Sequence, residues 1–176
     1  MRLAAKHLRR LLPLLVTLAI CCPKTQASTT RIVLDPTTFP PISRPLLQET
    51  ADQVAKAVDE LIPGDYPNGR NPKILCFVAK GKWGDQPRAF IGKPRKIEPA
   101  GARNYDMRVA LTPEVLPGAW QRLVFQLSHE LAHQKMDARV DNNAIETFAV
   151  ALSLEALHRL GCKRASGARL ISSLAR

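Results

Sequence analysis

The chain has 176 residues, which is enough for one domain and leaves little room for a second. Its 26 Lys and Arg residues outnumber 15 Asp and Glu residues, which gives a formal net charge of +11. Five of the basic residues and none of the acids lie in the first 27 positions, so the remainder of the chain carries only +6. This modest charge argues against a nucleic-acid-binding protein.

The N-terminus has the pattern of a secretory signal peptide. Basic residues come first, an apolar run over 11–22 follows, and the small residue Ala27 comes next. The apolar run is shorter than the roughly 20 residues that a membrane-spanning helix needs. Residues 1–27 are therefore expected to be removed during export, leaving a periplasmic or secreted bacterial protein without a transmembrane anchor. An uncleaved N-terminal anchor is the alternative.

The first element after the signal peptide is an extended lead-in. Residues 28–42 contain three prolines and one short β-prone piece. A single folded domain is expected over residues 43–176. It begins with a helix that runs from a cap at Ser43 to the Pro63-Gly64 pair, because apolar residues recur at helical spacing between these points.

Three strand candidates follow, at 74–80, 88–93 and 105–111. The first is continuously apolar, as a central strand is. The third alternates apolar with polar residues, which predicts an edge or half-buried strand.

Two more helices are predicted, one at 119–135 and one at 142–160 that Gly161 closes. The order is helix, three strands, helix, helix. This order predicts a small α+β domain in which about three strands pack on one side of a helix pair.

The loop region 80–103 concentrates the remaining positive charge. Its basic residues are Lys80, Lys82, Arg88, Lys93, Arg95, Lys96 and Arg103. Such a run is most often a solvated face, and few aromatic residues are interleaved with it, so nucleic acid is not an expected partner. An anionic envelope surface and an acidic substrate are both compatible with this loop.

Two cysteines remain after residue 27. Cys76 lies in an apolar strand and Cys162 lies just beyond the last predicted helix. In an oxidising compartment they can form one disulfide, and two buried thiols are an equal alternative because a sequence supplies no distance.

The stretch FQLSHELAHQKM, residues 125–136, contains the pattern HExxH. On a helical wheel the leucine-rich face lies opposite His129 and His133, which share a polar face with Gln126. Residues at i and i+4 lie one turn apart, so both imidazoles can bind one cation. Glu130 is rotated by about 100° around the helix and can contact a water molecule at the metal without being a ligand.

A catalytic zinc site also needs a third protein ligand. The longer pattern HExxHxxGxxH is excluded, because Met136 and Arg139 occupy its glycine and histidine positions. Glu146 is the preferred candidate, since it opens an apolar helix in which a carboxylate is costly to bury unless it is paired or bound to metal. Asp137 and Asp141 are alternative ligands.

Each of these residues also has an ordinary structural explanation. A carboxylate in the first turn of a helix, such as Glu146, can simply face water and suit the helix dipole. Asp141, Asn142 or Asn143 can orient a metal ligand rather than bind metal.

With HExxH on one helix and a glutamate on the next, residues 105–160 resemble a zincin, and more narrowly a gluzincin-type metallopeptidase. The resemblance implies that His129, His133 and Glu146 bind Zn2+ and that Glu130 is the general base. It also implies a small zincin-like domain fold.

The resemblance further implies a peptide or protein substrate. The strand at 105–111 is similar to the edge strand along which such enzymes bind an extended peptide. This chain departs from the family at Val150, where a second aspartate is often found, and in the 12 residues that separate His133 from Glu146. The candidates for a transition-state donor are Tyr105, Arg139 and His158.

The sequence therefore predicts a small exported zinc-dependent hydrolase, a metallopeptidase. The alternative hypothesis is a zincin-like binding or structural module of the envelope that has no catalytic activity.

Overall fold

A computed structural model of the chain describes residues 30–67, 72–116, 119–136 and 142–174. Within these ranges, the side chains of Lys82 and of residues 162–174 are not described. The predicted signal peptide lies outside the described residues, as do three of the candidate site residues, Asp137, Arg139 and Asp141.

The described residues form four strands and three α-helices. In chain order these are β1 (Arg31–Leu34), α1 (Arg44–Leu61), β2 (Lys73–Val78), β3 (Arg88–Ile91), β4 (Met107–Leu111), α2 (Trp120–Lys135) and α3 (Asn143–Leu174). The predicted α+β class is confirmed. The sheet has one strand more than expected, because the β-prone piece of the lead-in forms β1.

The four strands make one mixed sheet in the order β1-β2-β4-β3. Strands β1, β2 and β4 are parallel, and β3 runs antiparallel to β4. The apolar strand β2 has a neighbour on each side and is central, as predicted.

The expectation that the strand at 105–111 lies at an edge is wrong. Strand β4 lies between β2 and β3, and all five of its residues are buried. Its polar residue Arg108 does not face solvent, because its guanidinium forms a buried ion pair with Glu98, 2.6 Å between Nε and Oε2. The alternation in the sequence therefore reflects two covered faces of the sheet, and the edge strands are β1 and β3.

The main core lies between the sheet and the three helices. It contains Ile74, Cys76 and Val78 of β2, alternate residues of β4, and the leucine-rich faces of the helices. On the opposite face of the sheet, a smaller cluster is covered by the β2–β3 and β3–β4 connections and comprises Phe77, Ala79, Phe90 and Ala110 with Trp83 and Ile97.

Cys76 is a free thiol in the main core, and burial raises its pKa far above the usual value. The side chain of Cys162 is outside the described part of the structure. No helix in the described ranges is long and apolar enough to cross a membrane.

Helix α3 continues to Leu174 instead of ending at Gly161. Gly161 is not among the described glycines with positive φ, so it does not form a left-handed helix cap. A Cβ atom at this position would lie 3.7 Å from the ring of Trp120. This is an ordinary van der Waals distance, so the start of α2 packs against α3 near Gly161.

The buried pair between Arg108 and Glu98 provides a test of this fold. We expect Glu98→Leu to lower the free energy of unfolding by about 3–5 kcal/mol, because it leaves a buried guanidinium without its partner. Urea unfolding followed by circular dichroism measures the change.

Two further variants serve as controls. The double variant Glu98→Leu/Arg108→Met removes both charges and should recover most of the loss. Glu114→Gln breaks an exposed pair with Arg122 and should change stability by less than about 0.5 kcal/mol. A Glu98→Leu protein as stable as the Glu114→Gln protein would contradict the structure.

Candidate metal centre

Helix α2 presents two different faces to the rest of the domain. Leu123, Leu127 and Leu131 are fully buried in the main core. His129 and His133 lie on another face, which α3 covers, and their side chains are 14% and 15% exposed. The histidines are thus nearly enclosed without belonging to the apolar core.

Polar contacts hold α2 in place at two points. The amide of Gln126 accepts a hydrogen bond from the backbone N–H of Thr112 at 3.0 Å and donates one to the Thr112 hydroxyl at 2.6 Å. At the other end, the ammonium group of Lys135 lies 2.7 Å from a carboxylate oxygen of Asp59, with both side chains buried. These contacts join the helix to the end of β4 and to the end of α1.

The start of α3 positions the third candidate ligand. The side-chain oxygen of Asn142 accepts hydrogen bonds from the backbone N–H groups of Ala144 and Ile145, both at 3.0 Å, and so caps the helix. Asn142 is therefore a capping residue and has no described contact with a histidine. Glu146 lies in the first turn that this cap stabilises.

The side chains of His129, His133 and Glu146 converge at one point. The two Nε2 atoms are 3.1 Å apart. Oε2 of Glu146 lies 3.3 Å from Nε2 of His129, and Oε1 lies 3.0 Å from Nε2 of His133. Of the described His, Cys, Asp and Glu residues, these three form the group whose donor atoms lie close enough to hold a metal ion.

The three separations, two of which involve different oxygens of Glu146, are close to those between the ligand atoms of a tetrahedral metal site. Donor atoms that each lie about 2.0–2.1 Å from a tetrahedral zinc ion are about 3.3 Å from one another. A proton on one imidazole nitrogen can satisfy only one of the observed contacts, whereas one cation at the centre satisfies all three. Two imidazoles and a carboxylate are also a donor set that zinc accepts.

The pKa of His129 is lowered, first by burial and then by the nearby His133, while Glu146 partly opposes the shift. The neutral imidazole is thus favoured, which is the form that binds metal. The Nδ1 atom of His129 is buried and has no hydrogen-bond partner among the described residues. In this respect His129 differs from most metal-binding histidines, whose second ring nitrogen donates a hydrogen bond.

Glu130 lies beside this cluster and is only 6% exposed. Burial and then the charge of Glu146 raise the pKa of its carboxyl to about 7. A hydrogen bond from the backbone of Ala89 and the positive charge of Arg88 act in the opposite direction. The carboxylate therefore sits between the histidine pair and the edge strand β3.

An open cleft of about 520 Å³ lies next to the cluster along α2. Its lining includes Asp85, Pro87, Pro113, Arg122, Phe125 and Gln126. The ring of Phe125 stacks against the ring of His129, with centroids 6.2 Å apart. A molecule bound in this cleft would therefore be close to the histidine pair.

Two of the three candidate transition-state donors, His158 and Tyr105, lie away from the cluster, and the third, Arg139, is outside the described residues. His158 lies twelve residues after Glu146 on α3, which corresponds to about 18 Å along a helix. Tyr105 lies before β4, where Lys73 Nζ is 4.6 Å from its ring centroid. Sequence reasoning also missed the contacts of Ala89 and Phe125, because neither residue type signals a site.

Comparisons with protein-family models, with curated proteins and with solved structures find no match for this chain. The geometry of the cluster is therefore the basis for inferring a function.

Metal analysis tests the candidate centre. We expect one zinc ion per chain in wild-type protein purified without chelator, and loss of that ion in His133→Ala and Glu146→Gln, because each variant removes one of three donors. Elemental mass spectrometry measures the metal content. Glu155→Gln changes a glutamate on the same helix that pairs with Arg159, and it should retain zinc. Equal zinc retention in Glu146→Gln and Glu155→Gln would exclude Glu146 as a ligand.

Proposed function

We propose that this protein is a small exported zinc-dependent hydrolase, a metallopeptidase with a zincin-like, gluzincin-type site. His129, His133 and Glu146 would hold the zinc ion, and Glu130 would act as general base. The observation that carries the proposal is the convergence of two imidazole nitrogens, 3.1 Å apart, with the carboxylate of Glu146, whose two oxygens lie 3.3 Å and 3.0 Å from them, beside a buried second carboxylate.

The chemistry that zinc supplies when bound is known from its general properties. It lowers the pKa of a coordinated water toward about 7 and polarises a carbonyl oxygen. Glu130 would accept the proton of the attacking water and pass it to the leaving amine. Its burial keeps the carboxylate out of bulk solvent, so proton transfer can be confined to the site.

The edge strand supports a peptide as the substrate. Strand β3 has a neighbour on one side only, and an exposed strand edge can pair with an extended peptide through backbone hydrogen bonds. Glu130 contacts the backbone of Ala89 in this strand. A peptide paired with β3 would thus have its backbone next to the proposed general base.

The decisive variant is Glu130→Gln. It preserves the size of the side chain and leaves all three proposed ligands in place, so zinc should remain bound. Peptide hydrolysis should fall by about 10²–10⁴-fold, because the general base is lost. Incubation with a mixed peptide library, followed by mass spectrometry of newly formed termini, measures the activity.

The control for this experiment is Glu155→Gln, which should cleave the library as wild type does. Wild-type turnover by Glu130→Gln would refute the proposed mechanism. Stoichiometric zinc in a wild-type protein that cleaves no peptide in the library would favour the alternative, an envelope binding or structural module.

A further inference from the structure

The free edge of β3 leaves particular backbone groups available for pairing. In an antiparallel pair, successive residues point their N–H and C=O groups alternately toward and away from the neighbouring strand. The backbone N–H of Ala89 donates a hydrogen bond to Glu130, which indicates that Ala89 directs its N–H and C=O toward the free edge. Ile91, two residues further along, shares this orientation, and its C=O and N–H are directed away from β4.

The side chain of Ile91 lies on the helix side of the sheet. It is opposite Met107, which belongs to the main core, yet it is 48% exposed. An exposed apolar side chain at the free edge offers a contact to a paired strand. The edge therefore combines backbone groups that face away from β4 with an exposed apolar side chain, two residues from the Ala89 backbone that contacts Glu130.

Positive charge is concentrated along the same edge. Residues 86–97 contain no acid, and their four basic residues are all exposed: Arg88, Lys93, Arg95 and Lys96. These four exposed residues make up the basic margin. The guanidinium of Arg95 lies 4.9 Å from the ring centroid of Phe90, and that of Arg88 lies 5.6 Å from the ring centroid of Trp83. These contacts hold two of the charges close to the strand.

Charge is distributed unevenly along the edge. Lys93, Arg95 and Lys96 follow the C-terminal end of β3. Before the strand begins, Asp85 lines the cleft with Glu114, which pairs with Arg122. A peptide that pairs with β3 would thus meet positive charge at one end and mixed charge at the other.

We propose that the substrate of this site is an extended acidic peptide that pairs antiparallel to β3 and places its acidic side chains against the basic margin. The inference rests on the proposed peptidase function and adds the substrate class. Antiparallel pairing is slightly more stable than parallel pairing. In the antiparallel direction, the acidic residues lie on the N-terminal side of the peptide segment that is next to Ala89 and Glu130.

Basic residues at an exposed edge also prevent aggregation of strands, and they attract anionic lipid surfaces. Neither role uses the outward-facing backbone of β3 beside the buried carboxylate of Glu130. A peptide strand uses both features, because backbone bonds supply affinity and the side chains supply specificity.

Peptide binding tests the inference. The probes are three short fluorescein-labelled peptides that share an alternating Ala-Val centre. The first has Glu residues before the centre, the second has Glu residues after it, and the third has Gln residues on both sides. Fluorescence anisotropy measures their affinity for the zinc-loaded and the metal-free Glu130→Gln protein. We expect the peptide with preceding Glu to bind about tenfold more tightly than the Gln peptide at low salt, and this preference to shrink at high salt.

Paired variants assign the effect to the basic margin. Lys93→Gln/Lys96→Gln should reduce the preference for Glu at least about threefold, and Lys93→Glu/Lys96→Glu should reverse it. Arg31→Gln/Lys56→Gln removes two charges elsewhere, one of them on the opposite edge strand β1, and should preserve the preference. Urea unfolding midpoints verify that all variants are folded.

Several results would overturn the inference. The first is equal affinity for the Glu and the Gln peptides, and the second is tighter binding of the peptide with Glu after the centre. The third is an equal effect of Lys93→Gln/Lys96→Gln and Arg31→Gln/Lys56→Gln on the preference. Binding to phosphatidylglycerol vesicles without any Glu-dependent peptide binding would assign the basic margin to a lipid surface instead. Because these readouts measure binding in a variant without the proposed base, they are independent of whether the wild-type protein hydrolyses peptides.

Discussion

The packing of α2 is the constraint on which the candidate site depends. Its leucine face is fully buried, so the rotation of the helix about its own axis is fixed by the core. Gln126 and Lys135 then fix its position along that axis through contacts with the end of β4 and the end of α1. With both degrees of freedom removed, His129 and His133 must face α3. The positions of the two histidines are therefore fixed by the packing of the core and by these contacts.

The elements of the site differ in how far the sequence determined them. The spacing of His129 and His133 within one helix is local information, and periodicity was sufficient to predict it. The structure also brings Glu146 to the histidines. Its carboxylate is less buried than the apolar pattern of the helix suggested, since the side chain is 43% exposed. What places Glu146 there is the packing of two helices joined by a short connection. The separation of two helices is tertiary information that no local pattern contains.

The misassigned edge strand has a similar origin. Alternation of polar and apolar residues indicates two unlike faces of a strand, and solvent is the usual reason for the polar one. In β4 the polar face is covered, because Glu98 in the β3–β4 connection neutralises Arg108. The helix does not end at Gly161, because this glycine does not adopt the left-handed conformation of a helix cap. For β4 the deciding residue, Glu98, lies outside the window in which a strand pattern can be read, so the sheet order had to come from the structure.

The electrostatics of the cluster are unfavourable in the protein alone. Glu130 and Glu146 are close enough for one charge to raise the pKa of the other, and burial penalises the charged form of Glu130 further. Burial and a second imidazole likewise disfavour a positive charge on His129. The pKa shifts of Glu130 and His129 thus both oppose charge on these two groups in the protein alone. A divalent cation held by His129, His133 and Glu146 would relieve this arrangement, because it would attract both carboxylates and bind the neutral imidazoles. Strain of this kind, concentrated at one point of an otherwise well-packed domain, is typical of a functional site.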